Sequence, residues 1–181
     1  MKRMNKRRPT CLAFLFVLWW SVAAACWAGV PTPYAPTVVT PIGAPQRWEF
    51  DLTAAFKRAE TERKRLYVYL GADECPFCRA YEAFLGKNSH ELVPHFTKDY
   101  VVIDLRSSLK AQGDKLFFRV GDKVLNYTDF QRSLGDERAR QLVYPNVWLL
   151  DNKGKMLMQM PAGAGTFQTV AEQLEILRLE Q

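Results

Sequence analysis

Two cysteines, Cys75 and Cys78, stand two residues apart in GADECPFCRAYEAF, residues 71–84. Thiols at this spacing can close a disulfide, supply half of a metal site, or exchange electrons as a dithiol–disulfide couple. A bridge over so short a loop stabilises little, well below the ~3 kcal/mol of a roughly 15-residue loop. A closed zinc site wants four ligands. The only histidines, His90 and His95, lie five residues apart across an expected helix break and read as surface residues. Redox exchange is therefore the first reading. A copper- or zinc-binding chaperone and a passive structural disulfide are its rivals.

Redox chemistry needs an element that presents sulfur, and the flanking residues supply one. LYVYL (66–70) reads as a strand. A helix is expected from Pro76, with Phe77, Ala80, Tyr81, Phe84 and Leu85 on one face; proline is tolerated in the first turn. It should break near Gly86, and Pro94 should bar a continuation. YVVIDL (100–105) is a second buried strand, so strand, helix and strand form a parallel βαβ unit. At a helix start, unpaired N–H groups and the positive dipole end favour a thiolate. Cys75 would hold that place with its sulfur partly exposed. Cys78, one turn on, falls within disulfide reach.

The remaining elements follow from periodicity. Leu52, Ala55, Phe56 and Ala59 mark a helix with Asp51 as its expected N-cap. KLFFRVGDKVLNY suggests two short strands about Gly121–Asp122, and TDFQRSLGDERARQLV a helix in pieces about Gly135. NVWLL (146–150), the turn DNKG and KMLMQM (155–160) read as a hairpin. The last helix carries Phe167, Val170, Ala171, Leu174 and Leu177 on one face.

The N-terminus speaks to compartment. MKRMNKRRPT is basic, a 15-residue apolar run follows, and Cys26 and Ala28 suit the −3 and −1 positions of a cut after Ala28. Residues 1–28 are thus expected to be a signal peptide; an uncleaved anchor or a lipidated Cys26 are the alternatives. Cys11 and Cys26 would leave with it, and the formal charge of +6 would lose five cations and fall to +1. That removes the electrostatic case for a nucleic-acid partner. Residues 29–46 hold five prolines and read as an extended, mobile tether. Residues 47–181 suffice for one domain with a single core.

In this order of elements, CPFC after LYVYLGADE, VYPNVWLL, and Gly163 after the hairpin together resemble the thioredoxin superfamily over roughly residues 48–180. The longer stretch at 107–128 resembles periplasmic thioredoxins of the sulfur-oxidation type. The resemblance implies an α/β fold, a central mixed sheet flanked by helices, with an insertion before the cis-proline strand. It implies a thiol–disulfide oxidoreductase with Cys75 as nucleophile and Cys78 as resolving thiol. Pro145 would be the cis-proline, and Pro76, Phe77, Tyr144 and Gly163 would meet the substrate. No cofactor beyond the Cys75–Cys78 couple and no metal is implied. Expected partners are protein disulfides and a membrane-embedded redox protein, met by a monomer in the periplasm.

Departures from the family pattern adjust this. Glu74 stands where thioredoxins place Trp, and Tyr69 stands six residues before Cys75, where they bury an Asp. No internal carboxylate is therefore expected beside Cys78. Asp73 and Glu74 bring negative charge near Cys75, opposing a thiolate, and Phe77 adds no charge between the cysteines. These features argue for a reductase or interchange role rather than a strong oxidant. Tyr144 is bulky and would narrow the substrate groove.

Overall fold

A computed structural model describes residues 29–136, 141–161 and 169–178. The expected signal peptide and Gly163 lie outside these residues. The main sheet has the order β1 (Thr37–Val39), β4 (Tyr100–Ser107), β3 (Arg65–Ala72), β7 (Asn146–Leu150), β8 (Met156–Pro161). β1, β4 and β3 run parallel; β7 runs antiparallel to β3, and β8 antiparallel to β7. This is the expected mixed sheet. A second sheet joins β2 (Trp48–Asp51), β5 (Leu116–Val120) and β6 (Lys123–Asn126), the last two being the hairpin expected about Gly121.

Period-two alternation divides the core between the two faces of the main sheet. Leu66, Val68 and Leu70 of β3 face Ile103, Leu105, Trp148 and the residues of α1 (Thr53–Glu62), α4 (Tyr127–Leu134) and the small sheet. Tyr67 and Tyr69 face the other way, with Tyr81, Leu85, Leu92 and Phe96 from α2 (Pro76–Lys87) and α3 (Ser89–Asp99) and Leu177 from α5 (Val170–Arg178). α4 ends at Gly135, whose left-handed φ of 107° makes the cap, where the sequence suggested a break.

Four expectations are corrected. Residues 29–39 are no tether: Val30 and Tyr34 are buried, the Tyr34 hydroxyl donates to Leu85 O at 2.9 Å, and β1 pairs with β4. The prolines here set turns that carry a sheet strand rather than spacing out a linker. Pro94 does not bar a helix; α3 runs through it, and the break falls at Asn88, whose side chain takes up the Phe84 carbonyl. Asp51 caps one residue early, accepting the Thr53 N–H at 2.9 Å while Leu52 holds the N-cap. The buried stripe of α2 is Cys78, Tyr81, Glu82 and Leu85, so Phe77 and Ala80 turn outward.

Candidate active site

β3 ends at Ala72, and the chain turns into α2 within three residues. The turn is pinned by backbone bonds from Asp73 N to Ser107 O (3.1 Å) and from Cys75 N to Ala72 O (3.1 Å). The Glu74 carboxylate accepts the Ser108 hydroxyl at 2.8 Å and the Leu109 N–H at 3.1 Å, which lowers its proton affinity. Glu74 thus clamps the loop after β4, a role the sequence did not suggest. Asp73 is exposed.

Cys75 is the N-cap of α2, with extended backbone (φ −84°, ψ 114°) and Pro76 at the first helical position. Its sulfur accepts the Cys78 N–H at 3.1 Å, the bond an N-cap side chain makes. Cys78 Sγ accepts the Ala72 N–H at 3.5 Å. Both thiols are free and adjoining. The expected partial exposure of Cys75 is corrected: it is 2% exposed and Cys78 0%. Half-buried Tyr144 packs against the cluster that these cysteines form with Ala72. Burial pushes the Cys78 thiol up to about 12, and its hydrogen bond with Cys75 adds to this.

The Tyr144–Pro145 peptide is cis, Pro145 is buried, and the Tyr144 hydroxyl meets Ser107 Oγ at 3.1 Å. Of the site residues expected from sequence, Cys75, Cys78 and Tyr144 are brought together, Pro145 follows Tyr144 in the chain, and Gly163 lies outside the described residues. Pro76 and Phe77 are exposed on the same helix start. Three of the five exposed large apolar side chains among the described residues, Phe77, Leu109 and Val143, belong to the segments that frame Cys75. Together they give this end of the sheet an apolar rim. His90 and His95 lie on α3, and among the described residues no three His, Cys, Asp or Glu side chains converge as a metal site requires.

The expectation that no carboxylate stands behind Cys78 is overturned. The Tyr69 hydroxyl donates to Glu82 Oε1 at 2.9 Å and lies near Cys78. Arg79 Nη2 donates to the same Glu82 oxygen at 2.7 Å. Asp104, paired across the sheet with Tyr69, is fully buried; its Oδ2 takes the Val30 N–H at 2.9 Å and Arg106 Nη2 at 2.7 Å. Burial pushes Asp104 up to about 6, with Arg106 and Val30 opposing, and raises Glu82 in the same sense. Sequence reading missed both because a Glu one position past the apolar face of a helix and an Asp inside a hydrophobic strand look like solvated or misplaced charges. The one available signal was the compensating Arg at 79 and 106.

A family model described as a thioredoxin-like domain matches residues 52–177. No curated protein matches the chain. Solved structures similar to it include a thioredoxin-fold protein from Helicobacter pylori, at 16% identity and a TM-score of 0.37, covering 65% of this chain and 81% of that one. A pneumococcal exposed lipoprotein thioredoxin from Streptococcus pneumoniae is 18% identical with a TM-score of 0.38, covering 67% and 89%. A reduced Schistosoma mansoni thioredoxin pre-protein is 14% identical with a TM-score of 0.37, covering 71% and 94%.

Proposed function

The chain belongs to the thioredoxin-like domain family, and from that premise we propose that it is a thiol–disulfide oxidoreductase that works outside the cytoplasm in the reductase or interchange direction. The observation that carries this reading is the Cys75–Cys78 pair itself: free and adjoining, it opens α2 at the end of β3, against Tyr144, the residue before Pro145. Cys75 attacks a substrate disulfide, one substrate thiolate leaves, and a mixed disulfide forms. Cys78 then attacks the Cys75 sulfur, releasing the second substrate thiol and leaving the Cys75–Cys78 disulfide. Two electrons pass from the dithiol to the substrate, so no bound cofactor is needed.

Pro76, Phe77 and Tyr144, with Pro145 behind them and Gly163 from the family pattern, form the docking face. The apolar rim suits an extended or partly unfolded protein chain around the disulfide, whose backbone could pair with the Tyr144 main chain. Re-reduction would come from a membrane-embedded dithiol partner, with the protein acting as a monomer in the periplasm after cleavage behind Ala28. Within the family, the β5–β6 segment supports kinship with periplasmic thioredoxins of the sulfur-oxidation type. Asp73 is left as the acidic neighbour of the site, while Glu74 acts on it through the Ser108–Leu109 loop.

The test is catalysed reduction of insulin disulfides by dithiothreitol. The wild-type protein should accelerate it and Cys75→Ser should abolish the acceleration. Stoichiometric copper or zinc held by both thiols, with no turnover, would instead support a metal chaperone.

A further inference from the structure

Leu109 stands at the corner of a turn that is pinned from several sides. The Ala111 N–H donates to Ser108 O at 3.0 Å and the Lys110 N–H to Ser108 Oγ at 3.2 Å, which closes the turn over residues 108–111. The two Glu74 oxygens take the Ser108 hydroxyl at 2.8 Å and the Leu109 N–H at 3.1 Å. The Asp73 N–H reaches Ser107 O at 3.1 Å, one residue earlier. Hydrogen bonds to an ionised acceptor are roughly twice as strong as neutral ones. Ser108 and Ala111 are buried, yet the Leu109 side chain stays 50% exposed. The turn is therefore held in one shape without burying its large apolar side chain, so the bonds order Leu109 but do not pack it. A side chain ordered in advance loses less entropy when a partner arrives.

We propose that Glu74 and Leu109 set substrate specificity: Glu74 is a positioning residue that holds the 108–111 turn, and Leu109 presents a fixed apolar contact that selects disulfides whose attacked cysteine is flanked by a large apolar side chain. The proposal rests on the oxidoreductase reading. Glu74 is joined directly to Cys75, so the turn it grips is held in place relative to the attacking sulfur. Phe77 on α2 and Val143 ahead of Pro145 are the other exposed large apolar side chains of the segments around Cys75. A chain carrying Leu or Phe next to its disulfide thus meets apolar surface on three segments. A carboxylate left free before Cys75 would instead attract a basic flank by charge. Here both of its oxygens are taken up by the turn, and the apolar contact decides.

The test is catalysed reduction, with dithiothreitol as electron source, of three cyclic peptide disulfides that are alike except for Leu, Ser or Lys beside one cysteine. The wild-type protein should favour the Leu peptide over the Ser peptide by about tenfold in kcat/KM, mostly through KM, and Leu109→Ser and Glu74→Ala should each bring that ratio within about twofold of one. Glu74→Gln keeps an oxygen for the Ser108 hydroxyl but none for the Leu109 N–H, so its ratio should fall between. A loss of stability alone would slow all three peptides equally and leave the ratio where it was. A wild-type ratio retained in Leu109→Ser or in Glu74→Ala, or a wild-type preference for the Lys peptide, would overturn the proposal. Equal turnover of the three peptides refutes it while leaving the oxidoreductase reading in place; no turnover of any refutes both. Leu109→Ser changes an exposed side chain, so it decides alone if Glu74→Ala does not fold.

Discussion

The hydroxyls of Tyr144 and Ser107 stand 3.1 Å apart, tying the loop ahead of β7 to the last residue of β4. The Tyr144 side chain packs against the cluster that holds Cys75 and Cys78. Tyr144→Ala should uncover the pair and raise the rate of Cys75 alkylation several-fold, whereas Tyr144→Phe, which loses one hydrogen bond worth about 1 kcal/mol, should change it little. Alkylation of Tyr144→Ala at the wild-type rate would show that the ring is not the cover.

Selectivity between the two thiols is the second expectation. Burial and the bond to Cys75 push Cys78 up to about 12, so its thiolate is scarce at neutral pH; alkylation proceeds through the thiolate. Mass-mapped iodoacetamide labelling of the reduced protein at neutral pH should therefore modify Cys75 much faster than Cys78. Equal rates, or faster Cys78, would reverse the assignment of nucleophile and resolving thiol.

Asp104 sets a pH dependence of stability. Its folded-state value of about 6 lies above the ordinary value for an aspartate, so the fold favours the protonated acid. That stabilisation is complete below the unfolded value and is lost as pH rises through about 6. The penalty at neutral pH is on the order of 1–3 kcal/mol. Urea denaturation of wild type and Asp104→Asn between pH 4 and 7 should show the wild type losing stability relative to the variant as pH rises. A difference that stays flat or changes in the opposite direction contradicts the burial of this acid.

Gly71 gives a packing test of the same region. A Cβ there would come within 2.7 Å of the Tyr69 ring and 3.1 Å of its hydroxyl. Gly71→Ala should cost roughly 1–3 kcal/mol, as overpacked sites do, and displace the Tyr69 hydroxyl from Glu82. Denaturation midpoints read the first effect. A midpoint equal to that of wild type would mean the ring has room to move.

The redox motif and the elements that present it were legible because each depends on local signals. The short β-rich runs LYVYL and YVVIDL mark the strands, and Pro76 after Cys75 marks the helix start. What escaped depends on long-range partners. Glu82 reads as solvent-facing until Tyr69, Arg79 and the Gly29 N–H are brought around it from three other segments or turns. The 29–39 segment reads as a linker by composition, yet Val30 and Tyr34 find buried partners 74 and 51 residues away. Pro94 reads as a stop, but α3 packs Leu92 and Phe96 into the tyrosine-rich core, and tertiary packing outweighs the lost backbone bond.

The most direct measurement of the central claim is a trapping experiment with Cys78→Ala in the full chain. Cys75 can still attack a disulfide, but no second thiol remains to release the substrate. Mixed disulfides with extracytoplasmic proteins should accumulate, disappear on reduction, and map by mass spectrometry to Cys75. No adducts from a folded Cys78→Ala protein, or adducts equally abundant in Cys75→Ser, would contradict the assignment of Cys75 as the attacking thiol.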